Sequence, residues 1–248
     1  MTNPASPEPQ AIRERYARRA TSDPRYSLLN PAALHAWQER QRAIVRLFVR
    51  LGFSDLAQLR LLEVGSGTGG NLLDFLRMGF APDHLGGIEL LPERHDTARR
   101  CLPPAVTLEL GDATAMLLPE ASHDIVFQST VFSSLLDDAF QQRLADTMWS
   151  AVKPGGGVLW YDFTVDNPRN RDVRGVPLAR VRQLFPHARM QSQRVTLAPP
   201  LARALSRVHP ALCGMANALP VLRTHVLAWL EKRAAGDDGR RVEIQKSV

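Results

Sequence analysis

Three acids and a cluster of glycines stand where a nucleoside-bearing ligand would need them. Glu63 lies inside an apolar run, two residues before the first glycine of Gly65-Ser66-Gly67-Thr68-Gly69-Gly70. Glu89 closes the run LGGIE, 22 residues after Gly67, and Asp112 with Ala113 follows TLELG. Glycines at a strand-to-helix turn let backbone approach a ligand closely and adopt positive φ. The helix that follows offers free N–H groups and the positive end of its dipole, which suit a pyrophosphate or a carboxylate. An acid at the end of the second strand accepts ribose hydroxyls. An acid at the end of the third can accept an adenine amino group, with the neighbouring backbone N–H serving a ring nitrogen.

The glycines can be read in two registers. Gly65, Gly67 and Gly69 spell G-x-G-x-G, whereas Gly65, Gly67 and Gly70 spell the G-x-G-x-x-G of dinucleotide sites. Glu63 tilts the choice, because a buried acid repels a pyrophosphate and welcomes an ammonium group. A dehydrogenase would also want a proton relay such as Tyr-x-x-x-Lys, and Tyr161 has no lysine four residues on.

The E-x-G-x-G-x-G of residues 63–69, the acid Glu89, the Gly-Asp-Ala of 111–113 and the Lys-Pro-Gly-Gly-Gly of 153–157 occur in that order. On these four motifs, residues 55–235 resemble the class I S-adenosylmethionine-dependent methyltransferases. The resemblance implies S-adenosylmethionine as cofactor. Glu63 would orient the loop or face the methionine ammonium, and Gly65, Gly67 and Gly69 would line the methionine and ribose. Glu89 would take the ribose, Asp112 with Ala113 the adenine, and Gln128 joins this cofactor set.

The acceptor side is expected beyond the ends of the fourth and fifth strands. Methylases of nucleic-acid base amines carry N/D-P-P-Y/F at the first of these ends, and this chain has Gln128-Ser129-Thr130-Val131. Catechol-type enzymes hold a metal there with an acid, which Gln128 does not supply, so no metal is expected. The stretch WYDFTVDNPRNRDVRGVP, residues 160–177, is rich in hydrogen-bonding groups suited to a polar acceptor. Tyr161, Asn167, Arg169 and Arg174 are its candidate substrate contacts. An antiparallel last strand would bring Thr224 and His225 to the same edge. His225 is then the candidate general base, oriented by Asp162.

Short apolar runs alternate with helical stretches from residue 59 onward. Strands are expected at 59–64, 85–90, 106–111, 123–129, 156–163, 188–197 and in the run RTHVLAWLEKR. Helices fit near 69–79, 92–101, 136–152 and 177–185. That alternation argues for a parallel sheet covered on both faces. With the resemblance, it implies a Rossmann-like, mostly parallel seven-stranded α/β sheet with an antiparallel last strand. Residues 1–25, with four prolines and many charges, read as a flexible N-terminus. Residues 26–55 read as a helical lid, capped by Asn30 and stopped by Gly52. The methyltransferase-like domain spans 56–235, and 236–248 is a polar tail. Within the domain, Leu201, Leu205, Val208, Leu212, Met215, Leu219 and Leu222 paint one helical face of an insert at 199–222, which Pro210 should split. The insert reads as a cap over the substrate pocket, or as a contact to a membrane surface or lipid-linked acceptor.

Bulk properties narrow the class of protein. The chain has 248 residues, 44% of them apolar, and a formal charge of +6 carried by scattered arginines. Scattered arginine argues against a nucleic-acid footprint. Two unrelated cysteines suggest free thiols in a reducing cytosol, and no apolar stretch reaches membrane-spanning length. The location read from this is cytoplasmic. The loop after the fifth strand and the Leu-rich insert before LRTH resemble methyltransferases of bacterial polysaccharide and secondary-metabolite pathways. The expected activity is O-methylation of a glycan or small-metabolite hydroxyl. An RNA methyltransferase and a non-catalytic cofactor-binding protein are the alternatives. Oligomeric state is left open.

Overall fold

The computed structural model describes residues 7–18, 24, 27–166 and 170–234. Five parallel strands come first: β1 (Leu61–Val64), β2 (Leu85–Glu89), β3 (Thr107–Leu110), β4 (His123–Ser129) and β5 (Val152–Phe163). Then β6 (Arg189–Leu197) and β7 (Arg223–Glu231) complete one seven-stranded sheet in the order β3-β2-β1-β4-β5-β7-β6. The last strand, β7, runs antiparallel to both β5 and β6. Strand order reverses between β1 and β4, and such a switch point leaves a crevice beyond the strand ends.

The strands are apolar on both sides because helices cover both faces. On one face, Leu61, Phe127, Leu159 and Leu227 pack with Ile44, Leu47 and Phe48 of α2 (Pro31–Arg50) and with Leu72 and Phe75 of α3 (Gly70–Met78). Ala98 of α4 (Pro92–Cys101) joins that core. On the other face, Leu62, Val126, Val158 and Trp160 pack with Phe140, Leu144 and Met148 of α5 (Asp138–Ala151) and Val181 of α6 (Leu178–Leu184). Neighbouring residues such as Leu61 and Leu62 divide between the two cores, as the two-residue period of a strand requires. Helix α2 starts as its sequence suggests: Asn30 Oδ1 accepts from Ala32 N at 3.0 Å and Pro31 occupies the first turn.

Three elements differ from the sequence reading. The fifth strand, expected at 156–163, already begins at Val152, and Lys153–Gly157 is its bulged start, with a register shift between His123 and Ile125. Gly156 passes close enough to β4 that a Cβ would lie 2.5 Å from the Asp124 carbonyl oxygen.

Within residues 1–25, read from the sequence as flexible, Glu8–Ala17 is a helix, α1. Its Arg15 Nη2 donates to Glu8 Oε1 at 2.6 Å and to the Ser134 carbonyl at 2.9 Å, while Leu136 N donates to Glu8 Oε1 at 2.9 Å. A buried ion pair with backbone partners anchors α1 on the loop after β4. Ile12 and Tyr16 alone make too thin an apolar stripe for the helix to be visible as periodicity.

The insert splits at Pro210 as expected, into α7 (Pro199–Val208) and α8 (Pro210–Asn217). Its Ala202 and Cys213 pack on Ala32 of α2 and Leu197 of β6. It therefore leans on the start of α2, and none of its residues lines the cavity described next.

Candidate cofactor and acceptor site

The carboxyl ends of β1, β2, β3 and β4 open on a cavity of about 350 Å³. Gly65, Gly67 and Gly69 carry the chain over its floor with φ of +71°, +58° and +84°. A Cβ on Gly65 would lie 2.5 Å from Val131 Cγ2, and one on Gly69 would lie 2.8 Å from Leu102 Cδ1. Gly70 has no positive φ and nothing within 4 Å of a built Cβ. Glycine is demanded at 65, 67 and 69, which resolves the double register.

Glu89 holds this loop in place. Gly67 N donates to its Oε2 at 2.7 Å, and Leu91 N donates to its Oε1 at 2.9 Å. Each carboxylate oxygen keeps a second lone pair, so Glu89 can still accept a hydroxyl from the cavity it lines. At the β3 end, Asp112 Oδ1 accepts from Thr114 N and Thr114 Oγ1, both at 2.9 Å, and Asp112 and Ala113 also line the cavity.

Glu63 is fully buried beneath the glycine loop and is not itself among the residues lining the cavity, which it reaches through Asn71. Its Oε1 accepts from Asn71 Nδ2 at 2.6 Å, and among the described residues its Oε2 has no partner. Burial pushes its carboxyl up to about 8, against the opposing hydrogen bond from Asn71 and the nearby Arg40 charge. Arg40 Nη2 in turn donates to Asn71 Oδ1 at 2.7 Å, and Arg40 Nη1 donates to Ser129 Oγ at 3.3 Å. A chain Glu63–Asn71–Arg40 thus ties β1, α3 and α2 together, with Asn71 and Arg40 on the cavity wall.

An orphaned buried carboxyl oxygen and a fixed guanidinium, close to left-handed glycines and a ribose-ready acid, fit an amino-acid-bearing nucleoside. Residues 61–156 match the family model described as "Methyltransferase domain". Residues 61–156 form a class I S-adenosylmethionine-dependent methyltransferase domain. Its methyl donor is S-adenosylmethionine. Among curated proteins, none matches the chain.

Solved structures share the methyltransferase fold at low identity. Phosphoethanolamine N-methyltransferase 1 of Haemonchus contortus, in complex with phosphoethanolamine and S-adenosylhomocysteine, is 12% identical with a TM-score of 0.63. That alignment covers 96% of this chain and 52% of the other. A putative sarcosine dimethylglycine methyltransferase from Galdieria sulphuraria is 14% identical over 82% of this chain and 89% of its own, with a TM-score of 0.58. The [4+2]-cyclase SpnF is 16% identical over 79% of this chain and 83% of its own, at a TM-score of 0.55.

The candidate acceptor-side residues fall differently from the sequence reading. Register pairs Asp162 with Val226 and Phe163 with His225 across β5 and β7. Asp162 therefore points to the α5 side of the sheet, while His225 stacks on Tyr161 on the α2 side, with ring centroids 5.2 Å apart. Asp162 cannot orient His225. It accepts instead from Ser133 N at 3.1 Å and Phe163 N at 2.9 Å, and burial pushes its carboxyl up to about 7. Burial, then the Arg40 charge, pushes His225 down to about 4.

Gln128 is likewise buried outside the cavity lining, its Nε2 donating to the Tyr161 carbonyl at 3.3 Å and its Oε1 accepting from Val131 N at 3.0 Å. It holds the β4 end rather than a cofactor. Tyr161 lies under the Arg40 guanidinium, 5.3 Å from ring centroid to Cζ, and its hydroxyl shares a 2.8 Å hydrogen bond with Thr196 Oγ1. Arg174 pairs with Asp138 on an exposed rim and does not line the cavity. Asn167 and Arg169 lie outside the described residues.

The cavity also contains residues that the sequence did not single out: Arg40, Asn71, Arg94, Ile12 and Tyr16. Arg40 left a signal, since it shares its helical face with Trp37, Ile44 and Leu47 at offsets of three, four and seven. A charge on an apolar face asks for a buried partner. Ile12 and Tyr16 left none, because α1 meets the cavity only through tertiary contacts.

Proposed function

We propose that this domain methylates a hydroxyl of a small molecule or glycan. The supporting observation is the covering of the cavity: Ile12 and Tyr16 of α1 and Arg40 of α2 line it together with the glycine loop. A site covered by two helices favours a small or flexible acceptor over a duplex or a folded RNA. Gln128-Ser129-Thr130-Val131 at the β4 end supports a hydroxyl over a base amine.

The residues fit the donor piece by piece. The free Oε2 of Glu63 takes the ammonium, Arg40 the carboxylate, Glu89 the ribose, and Asp112 with the Ala113 N–H the adenine. S-adenosylmethionine supplies an activated methyl group, so the chain's own task is alignment and removal of the acceptor proton. Ser129 and Thr130 form the β4 end of the cavity wall, with Thr130 held at φ +56° and its N–H donating to the Tyr161 carbonyl at 2.8 Å. His225, on the Arg40 side of the sheet but outside the cavity lining, is neutral at physiological pH, shares a 3.1 Å hydrogen bond with Thr224 Oγ1 through Nδ1, and is the candidate proton acceptor.

Two substitutions separate these roles. Arg40→Ala is expected to weaken S-adenosylmethionine binding roughly 10- to 100-fold, the range of one or two charge-assisted hydrogen bonds, as read by calorimetry. His225→Ala is expected to lower kcat by about 100-fold while leaving cofactor affinity within twofold. Unchanged kcat would remove His225 from the mechanism.

The function itself is tested by incubating the protein with methyl-labelled S-adenosylmethionine and fractionated small molecules, oligosaccharides and RNA. Label in a hydroxyl-bearing small molecule or oligosaccharide is the expected result, and label in RNA alone would overturn it. A cofactor-binding role without methyl transfer is a second reading, because the [4+2]-cyclase shows that this fold hosts other chemistry. Tight cofactor binding with no transfer to any fraction would favour it.

A further inference from the structure

We propose that the helical insert and the turn before α2 form a docking surface for an anionic lipid membrane. The insert's apolar side chains divide into two sets. Leu201, Leu205 and Leu222 face inward and pack with Ala32, Ala202 and Cys213. Val208, Met215, Leu219 and Val221 face outward, 77%, 70%, 55% and 78% exposed. Leu28 and Leu29 add to them: Leu29 is 94% exposed, and the pair stands just before Ala32, which is packed into the insert. Large exposed apolar side chains are unremarkable singly, but grouped around one element they mark a contact surface.

Charge selects the partner. From Val173 to Leu230 the chain has eight arginines and no aspartate or glutamate, and residues 27–38 contain no acid either. Arg203 and Arg207 stand on α7, and among the described residues neither has an ion-pair partner. A second copy of the chain meeting this face isologously would set these arginines against their own copies. An anionic bilayer accepts apolar side chains at its interface and attracts arginine around them. No helix among the described residues is long and apolar enough to cross a membrane, so the contact is peripheral.

Topology gives the contact a consequence. The insert leaves the end of β6 and returns at the start of β7, at the sheet edge where the parallel strands end and the cavity opens. A membrane-docked insert places that edge close to the bilayer. The docking itself needs neither cofactor nor methyl transfer, so its test is independent of the proposed function.

The test is flotation of the full chain with vesicles of phosphatidylcholine alone and of phosphatidylcholine with phosphatidylglycerol at three to one. Binding to the phosphatidylglycerol vesicles is expected at 50 mM salt and is expected to weaken at 500 mM. R203E/R207E and M215E/V221E alter three exposed positions and the half-buried Arg203, and circular dichroism checks that each pair still folds. Each pair is expected to lower vesicle binding at least tenfold. Three results would overturn the proposal: no binding to phosphatidylglycerol vesicles, equal binding to both vesicle types, or binding that neither pair changes. Concentration-dependent dimerisation abolished by M215E/V221E, without vesicle binding, would assign the face to a second copy instead.

Discussion

Gly65→Ala is expected to reduce S-adenosylmethionine affinity at least 100-fold, whereas Gly70→Ala changes it by no more than about threefold. The two residues are five positions apart in one glycine-rich loop, and both border the cavity. Their backbones differ. Gly65 has φ +71°, a conformation that costs an L-residue about 1–2 kcal/mol. Its Cβ would also sit 2.5 Å from Val131 Cγ2, so the β4 end or the loop must move. Such a shift displaces the N–H groups of Gly65 and Ser66 from the Ile88 carbonyl, which they meet at 2.8 and 3.0 Å. A thermal midpoint lowered by roughly 5–10 °C should accompany the lost affinity. Gly70 opens α3 without positive φ, and alanine there gains helix propensity of up to about 1 kcal/mol. Calorimetry on both variants decides the matter. Equal losses would mean that the G-x-G-x-x-G spacing is the working one.

The second large effect is a proton released when the cofactor binds. Glu63 is held up to about 8 by burial, so in the empty protein it is protonated at neutral pH. On the proposed placement of the cofactor's ammonium against its Oε2, the carboxylate is favoured and that value falls. Binding at pH 7 should therefore release close to one proton, measurable as a dependence of the calorimetric heat on buffer ionisation enthalpy. Affinity is expected to tighten by up to tenfold per pH unit as pH rises toward about 8. Above that it should weaken again, because an α-amino group itself loses its proton near 8. Glu63→Gln should abolish the proton release and flatten the rising limb.

Stability of the empty protein gives the opposite dependence. A carboxyl with a folded value of about 8 and an ordinary unfolded value stays protonated longer in the native state. Its contribution is complete below the unfolded value and is lost as pH rises toward 8. Glu63→Gln should thus make the empty protein relatively more stable at pH 8 than at pH 5, by comparison with the parent. The same residue therefore weakens the empty fold in the pH range where it strengthens cofactor binding.

The glycine loop and the strand ends that frame the cavity were legible in the sequence because their determinants are local. Gly65, Gly67 and Gly69 are required by the backbone of a single turn, Glu63 sits within one visible apolar strand and Glu89 ends another, and Asp112 follows a third by two residues. In a parallel sheet, strand ends converge on one edge, so reading the strands amounts to placing those residues. Alternation of apolar runs likewise predicted all seven strands and the helices between them.

What only the tertiary structure decided is which face each side chain takes and what comes to meet it. Asp162 and His225 both lie on strands at the right edge, yet pairing of Asp162 with Val226 sends the two to opposite faces. A one-residue difference in register reverses a side chain's direction, and no pattern in either strand alone encodes the register between them. Gln128 was drawn off to satisfy backbone groups for the same reason. Arg40, Ile12 and Tyr16 reached the cavity from helices before the sheet, through a buried Glu8–Arg15 pair and a side-chain chain running over Asn71 to Glu63. Local sequence determined the cofactor loop, because a turn's dihedral angles are a property of its own residues. The walls around it were settled by packing between segments distant in the chain, where burial and partner choice outweigh what any one segment prefers.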